Sequence, residues 1–341
     1  MADTEWGKRD SRGEWQPAPA LLPKPSPIFR LPWKPWEVVK HLFAWPGFLW
    51  PWNLFYAALA VVAWLWFTPG FDRTAHFQVG WIAEIYARNA VVLLLVAGGL
   101  HLRLYVTRGQ GLKFKFSNKW LATKDSKFLF GNQAWDNIFW NFVSGCTIWT
   151  AYEALTLWMY AHHLIPYVDF RAHPVYVVLM FPIVVYLRLF HFYWTHRLIH
   201  WAPLYKISHY VHHKNVNIGP WSGMSMNPLE HLIYLSGVLL HWVIPSHPVN
   251  AIFHLMHAGA SPAPGHSGYY KFTVGKGERG VVIDNFFHYL HHRFFTVNYG
   301  VEALPLDAWF GSFHDGSPQA QAAMMAKRAE ARKRGATQPL A

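Results

Sequence analysis

Four long apolar segments constrain this 341-residue chain more than any other feature of its sequence. They run over 51–67, 79–106, 138–161 and 174–194. Each has about 17 residues or more, which is the length at which a helix begins to be able to cross a bilayer. Tryptophan and tyrosine flank the segments, as they do at membrane interfaces. We therefore predict an all-α integral membrane protein with about four transmembrane helices.

The distribution of lysine and arginine predicts the orientation of these helices. Basic residues are concentrated before the first segment and between the second and the third, whereas the loops 68–78 and 162–173 hold one arginine each. Because basic loops stay on the cytoplasmic side, the N terminus is predicted to be cytoplasmic. Four crossings would return the chain to the cytoplasm just before His196, and the C terminus would also be cytoplasmic.

The remaining segments complete a predicted division of the chain. Residues 1–46 are proline-rich and read as an extended cytoplasmic tail, and 47–195 hold the transmembrane helices. Residues 196–316 contain a histidine-rich catalytic region. Its apolar stretch 232–260 is interrupted by Pro245 and Pro248, which favours a re-entrant or interfacial hairpin. Residues 317–341 form a basic cytoplasmic tail.

Twenty-two histidines stand out, and eight of them form three short motifs. The spacings are H-x3-H, then H-x2-H-H twice, at His196, His200, His209, His212, His213, His288, His291 and His292. Residues three or four positions apart share one face of a helix, so each motif can direct its imidazoles at one point. Eight imidazoles exceed the three or four ligands of one zinc and suit two metals. The single cysteine, Cys146, excludes sites built from several thiolates.

These motifs and their surroundings resemble the fatty acid hydroxylase and sterol desaturase superfamily. The similarity covers about residues 190–316 and lies in YWTHRLIH, LYKISHYVHH, NPLEH, GHSGYY, FHYLHHRFFTVNYG and LDAWFGSFHDG. It implies a cytoplasmic helical cap that holds two iron ions above a transmembrane stalk. It also implies that the eight motif histidines and His266 are metal ligands.

Two departures from the superfamily pattern leave a tenth ligand open. Asn227 stands where many members have a histidine before proline, and Pro262 lies four residues before His266. These features are nearer to the sterol-desaturase branch. His231 and His257 are the candidates for the additional ligand.

Ligand imidazoles need hydrogen-bond acceptors that fix their tautomer and orientation. Four residues close in sequence to the motifs are candidates for this role, namely Glu230, Asp284, Asn285 and Asp307. No further catalytic residue is predicted. No nucleotide cofactor is expected, because Gly275-x-Gly277-x-x-Gly280 lies in a short polar loop that cannot form a dinucleotide-binding unit.

The resemblance implies an oxidoreductase that uses O₂ and external electrons to hydroxylate or desaturate a C–H bond of a lipid. A sterol, an acyl chain and a polar lipid all remain possible substrates. Because no haem or flavin domain fits in the chain, a separate ferredoxin, cytochrome or reductase is expected. The net charge of +12 suits an acidic donor or anionic lipid head groups, and nucleic acid is not an expected partner.

Two other functions are compatible with a histidine-rich membrane protein. A metal transporter would place its ligands near the middle of the membrane, whereas these motifs follow the last apolar segment. A zinc-dependent membrane hydrolase would need a general base such as the glutamate of HExxH, which the sequence lacks. The sequence also lacks a lysine-based C-terminal retrieval signal, which favours a bacterial inner membrane over the endoplasmic reticulum.

Overall fold

The computed structural model describes residues 5–275, 277–283 and 285–333, so Asp284 lies outside the described residues. These residues are mainly helical. The helices are α1 (Pro35–Phe43), α2 (Leu49–Phe67), α3 (Phe71–Thr74), α4 (Val79–Val106), α5 (133–161), α6 (Pro174–Ile199), α7 (202–213), α8 (Pro228–Leu235), α9 (Pro248–Ala260), α10 (Pro262–Gly265), α11 (Phe286–Phe294), α12 (Leu306–Trp309) and α13 (Pro318–Lys333). Short 3₁₀ helices lie at Pro19–Leu21, Pro27–Phe29, Leu129–Gly131, Pro220–Met224 and Ser236–Trp242.

Three of these helices, α2, α4 and α6, are long and apolar enough to cross a membrane. They cover the first, second and fourth predicted segments and confirm the expected membrane protein. The third segment lies in α5, a continuous helix that contains a π-helical turn at Asn141–Cys146. It carries Asp136, Asn137 and Glu153 as buried polar residues, and it is not among the three candidate spans. The count of four crossings therefore stays a prediction.

The stretch predicted as a hairpin forms two helical arms. The first is α8 with the following 3₁₀ helix, and the second is α9, which begins at Pro248 and is buried along its whole length. Helix α9 packs against α2, α5 and α6, so it lies inside the bundle. Gly259 permits this close packing, because a Cβ atom there would lie 2.4 Å from the indole ring of Trp149.

A buried ion pair joins α4 to α5 within the bundle. The guanidinium of Arg88 contacts both carboxylate oxygens of Glu153 at 2.5 Å, and both side chains are less than 10% exposed. Asn89 donates a further hydrogen bond to the same carboxylate. Ionisable groups inside membrane helices face the protein interior and pair with each other, and this pair follows that rule.

The N-terminal segment is folded rather than extended. Strands β1 (Gly7–Arg9) and β2 (Trp15–Pro17) form an antiparallel hairpin in which Arg9 lies opposite Trp15. Trp15 is only 5% exposed and packs against Phe116 and Tyr270. Burial of this large aromatic side chain favours the folded hairpin over the extended tail expected from proline content.

The histidine-rich cap is assembled at one end of the helical bundle. It combines the end of α6, helix α7 and helix α11, with β3 (Lys271–Thr273) and β4 (Gly280–Val282) as an antiparallel pair in which Phe272 lies opposite Val281. Both terminal segments pack on this cap. Glu14 accepts a hydrogen bond from Arg293, and Arg328 of α13 donates one to the carbonyl of Phe294.

Candidate metal centre

Nine buried histidines lie in two compact groups at the cap. In each group the ligand nitrogens lie within 4.8 Å of one another. The five-histidine cluster contains His196, His200, His209, His213 and His291. The four-histidine cluster contains His212, His266, His288 and His292. These nine are the histidines that the motifs and the resemblance single out as metal ligands.

Helices α7 and α11 each contribute histidines to both clusters. On each of these helices two adjacent histidines belong to different clusters. On α7, His212 belongs to the four-histidine cluster and His213 to the five-histidine cluster. On α11, His291 and His292 are divided in the same way. Successive residues of a helix point about 100° apart, so two neighbouring rings can serve two neighbouring sites. The rings of His213 and His292 stack across the boundary at 4.8 Å.

Hydrogen bonds at the Nδ1 atoms determine whether each Nε2 atom carries a hydrogen or a lone pair. The Nδ1 atoms of His196, His291 and His266 lie 2.5, 2.7 and 2.9 Å from the backbone carbonyls of Tyr299, Val297 and Pro262. A carbonyl oxygen only accepts a hydrogen bond, so each Nδ1 carries the hydrogen. In a neutral imidazole the Nε2 atom then holds a lone pair.

These lone pairs converge. The Nε2 atom of His196 lies 3.0 Å from that of His209, and the Nε2 atoms of His288 and His266 are 2.9 Å apart. Two Nε2 atoms that are about 3 Å apart and both hold lone pairs repel each other unless a cation lies between them. Neutral imidazole nitrogens are common ligands of such cations. Both donor sets therefore fit a bound metal ion.

Burial keeps these imidazoles neutral, which is the state that binds metal. Loss of hydration is the main cause, and neighbouring histidines add to it. The pKa falls to about 4 at His266 and well below the usual value at His200, His209, His212, His213, His288, His291 and His292.

Three of the predicted supporting residues are described, and they differ in what they contact. A carboxylate oxygen of Glu230 lies 2.6 Å from Nδ1 of His209, and burial raises the pKa of Glu230. The Asp307 carboxylate accepts hydrogen bonds from the backbone N–H groups of Tyr299 and Gly300, so it orders the loop that contacts His196. Asn285 donates to the carbonyl of Gly265, beside His266.

The two candidates for a tenth ligand lie outside both clusters. The Nδ1 atom of His231 is 2.8 Å from the hydroxyl of Ser144, and the Nε2 atom of His257 is 2.8 Å from the amide oxygen of Asn53. Each histidine instead joins elements of the bundle, His231 to α5 and His257 to α2.

The sequence motifs do not reveal the backbone carbonyls of Val297 and Tyr299, although these groups orient two of the ligands. The intervening Asn298 has a positive φ of 55° and donates to the carbonyls of Phe287 and His314. Asparagine tolerates this backbone conformation better than most residues. The Asn-Tyr-Gly sequence after the last histidine motif was the available signal for a structured turn.

A cavity of about 580 Å³ borders the four-histidine cluster. His212, His266 and His288 line one side of it. Its other walls are largely apolar and come from the N-terminal segment, from helices α2, α6, α8 and α9 and from the segment before α8, and they include Phe48, Tyr56, Val185, Leu189, Phe192, Met226 and Tyr234. The volume and the mainly apolar lining are typical of a small-molecule site.

The part of the sequence that forms the metal centre matches a known protein family. Residues 181–312 match the fatty acid hydroxylase family. The Delta(7)-sterol 5(6)-desaturase erg3C of Aspergillus fumigatus is 29% identical over 148 residues, which cover 37% of this chain and 45% of that protein. The putative Delta(7)-sterol-C5(6)-desaturase 2 of Arabidopsis thaliana is 28% identical over 137 residues, with 38% and 47% covered.

A third relative, the Delta(7)-sterol-C5(6)-desaturase of Nicotiana tabacum, is 28% identical over 138 residues, which cover 38% of this chain and 49% of that protein. The chain thus matches less than half the length of these curated relatives. No solved structure matches it. The matched family segment contains all nine clustered histidines.

Proposed function

We propose that this chain, a member of the fatty acid hydroxylase and sterol desaturase superfamily, is an oxidoreductase that acts on lipids and, more narrowly, a membrane di-iron oxygenase. It would use O₂ and external electrons to hydroxylate or desaturate a C–H bond of a lipid. The observation that carries this proposal is the convergence of nine Nε2 atoms into two groups beside an apolar cavity. Two adjacent sites, of which the four-histidine cluster borders the cavity, suit a two-metal centre that acts on one bound substrate.

The bound irons would supply O₂ activation and the oxidation of an unactivated C–H bond. The histidines of both clusters would hold them through Nε2. Glu230 would keep the Nδ1 hydrogen of His209 in place, and the carbonyls of Tyr299 and Val297 would do the same for His196 and His291. The apolar walls would orient the lipid and exclude water from the reacting carbon.

The surroundings of the cap support the remaining parts of the proposal. A substrate chain would reach the cavity from the bilayer, because α2 and α6 contribute to its walls. The electron donor would be a separate ferredoxin, cytochrome or reductase. The cap and both terminal segments would face the cytoplasm, with the bacterial inner membrane favoured over the endoplasmic reticulum and with anionic head groups beside the basic surface.

The metal content of the detergent-purified protein tests this proposal. We expect about two irons per chain, since each cluster offers at least the number of ligands that one metal needs. His288→Ala removes one of the four ligands of the four-histidine cluster, and about half of the iron should be lost. His76→Ala is the matched control, because His76 is exposed and lies in neither cluster.

The same measurement can contradict the proposal. A preparation that contains one zinc and no iron would favour the hydrolase alternative and remove the basis for O₂ activation. If iron is present, lipid profiling under O₂ with candidate donors should show a hydroxylated or desaturated product that His288→Ala does not form.

A further inference from the structure

The cavity beside the four-histidine cluster contains a buried arginine that has no carboxylate partner in the described part of the chain. Arg188 lies on α6, is 9% exposed and lines the cavity. Among the described residues, no aspartate or glutamate oxygen lies within 4.0 Å of its guanidinium nitrogens. A buried charge is costly unless it is paired, so this arginine calls for an anionic partner.

The hydrogen bonds of Arg188 leave part of its guanidinium group available. Its Nη2 atom donates to the hydroxyl of Tyr234 at 2.9 Å, and that hydroxyl donates in turn to the carbonyl of Ala258. The Nε atom of Arg188 is buried and makes no hydrogen bond with the described residues. The hydroxyl of Tyr56, which also lines the cavity, is buried and lacks a partner in the same way.

Arg88, the other arginine with a buried side chain in the bundle, has the carboxylate partner that the described residues do not provide at Arg188. Arg88 contacts both oxygens of Glu153, and Asn89 completes that site. The chain therefore pairs an intramembrane arginine with a carboxylate where the pair joins two helices. At Arg188 the guanidinium group borders the cavity instead.

We propose that Arg188, held in place by Tyr234 and assisted by the Tyr56 hydroxyl, forms a subsite for the carboxylate group of the lipid substrate. This inference rests on the proposed function, because it assumes that the cavity holds that substrate. A guanidinium group binds two carboxylate oxygens side by side, and one carboxylate balances its single charge. A phosphate monoester carries about −1.5 to −2 charges at pH 7 and would need a second cation at the same depth. The other cavity-lining cations, Lys24 and Arg30, are exposed residues of the N-terminal segment.

The position of Arg188 also limits where the substrate is oxidised. Arg188 lies eight residues, or about 12 Å along the axis of α6, before His196, which marks the point where α6 enters the cap that also holds the four-histidine cluster. A chain held by its carboxylate at Arg188 would thus reach the metal centre with a carbon well removed from that group. The subsite predicts oxidation within the chain or near its far end, not beside the carboxylate.

Equilibrium binding of hexadecanoate and of its methyl ester to the purified, metal-loaded protein tests the subsite. The two probes have the same chain and differ in the negative charge. We expect wild-type protein to prefer the acid, and Arg188→Gln to weaken acid binding about 10- to 100-fold while ester binding changes little. Arg171→Gln is the matched control, because Arg171 is an exposed residue just before the same helix and does not line the cavity.

Probe binding by Arg188→Lys and the iron content of the protein distinguish failure of the subsite from failure of the proposed function. Arg188→Lys keeps the charge but loses the planar pair of donors, so it should restore only part of the acid preference. Equal binding of acid and ester by wild-type protein, or an unchanged preference in Arg188→Gln, would overturn the subsite even if the protein contains two irons. Absence of iron would contradict the proposed function instead, and an acid preference that depends on Arg188 would still establish the subsite.

Discussion

The two histidine clusters differ in how firmly their ligands are held. In the five-histidine cluster, His196, His209 and His291 each have an Nδ1 atom within hydrogen-bond distance of a protein oxygen. In the four-histidine cluster, Nδ1 of His266 donates to a carbonyl, but Nδ1 of His292 makes no hydrogen bond with the described residues. The first cluster therefore has the more extensive support for its ligand orientation.

The clusters also differ in their relation to the cavity. His212, His266 and His288 of the four-histidine cluster line it, whereas the histidines of the five-histidine cluster do not. Fewer ligands leave more coordination positions for a small molecule, and this cluster is also the one beside the substrate space. If both clusters bind metal as proposed, the five-histidine site would anchor its ion and the four-histidine site would present its ion to the substrate.

The largest expected effect comes from removing one ligand in each cluster. His288→Ala leaves three histidines at the four-histidine site, and His209→Ala leaves four at the other. Because a metal needs about three or four protein ligands, we expect His288→Ala to lose nearly one metal per chain and His209→Ala to lose less. Metal analysis of both variants beside His76→Ala measures the difference. A greater loss in His209→Ala would reverse the comparison.

Helical spacing was sufficient to identify eight of the nine clustered histidines, because it places each motif on one face, and only the resemblance to the superfamily added His266. The sequence did not reveal how they divide. The adjacent pair His212 and His213 serves two sites, and the division depends on where α6, α7 and α11 meet in three dimensions. Backbone acceptors such as the carbonyl of Tyr299 are also invisible in sequence, since every residue has a carbonyl group.

Outside the histidine clusters, two features depend on tertiary packing and could not be predicted from composition. Proline content favoured an extended N-terminal tail, but burial of Trp15 against the cap folds this segment into a hairpin. Arg188 lies within an apolar segment and offers no motif. Its importance emerges only because the structure shows a cavity at its side chain and no carboxylate partner among the described residues.

A smaller effect is expected from Glu230→Gln, which tests the support of the five-histidine cluster. The change keeps the size of the side chain but removes the carboxylate that faces Nδ1 of His209. Glutamine can still accept a hydrogen bond through its amide oxygen but loses the negative charge, so metal binding should weaken towards the lower end of the about 10- to 100-fold range that is typical of such partners. The rate of iron release to a chelator should rise for one of the two irons. Glu84→Gln, an exposed residue paired with Arg73, is the matched control. Release of both irons at the wild-type rate would show that Glu230 does not support the site.

The smallest expected effect concerns Asp307, which acts on the cluster only through a loop. Its carboxylate accepts hydrogen bonds from Tyr299 N, Gly300 N and the hydroxyl of Ser312. Asp307→Asn keeps one carbonyl oxygen and replaces the other acceptor by a donor, so about 1 to 3 kcal/mol of unfolding free energy should be lost. Because the loop still supplies the Tyr299 carbonyl to His196, iron release should rise less than in Glu230→Gln.

Thermal unfolding and iron release, measured together, test this order. Asp315→Asn provides the control, since Asp315 caps only the nearby Ser317 N–H. An Asp307→Asn variant that unfolds like wild type but releases iron as fast as Glu230→Gln would mean that the carboxylate acts on the metal site directly. Lower stability with nearly wild-type iron release would instead support the order drawn from the contacts, in which a side chain that holds the loop matters less to the metal than one that touches a ligand ring.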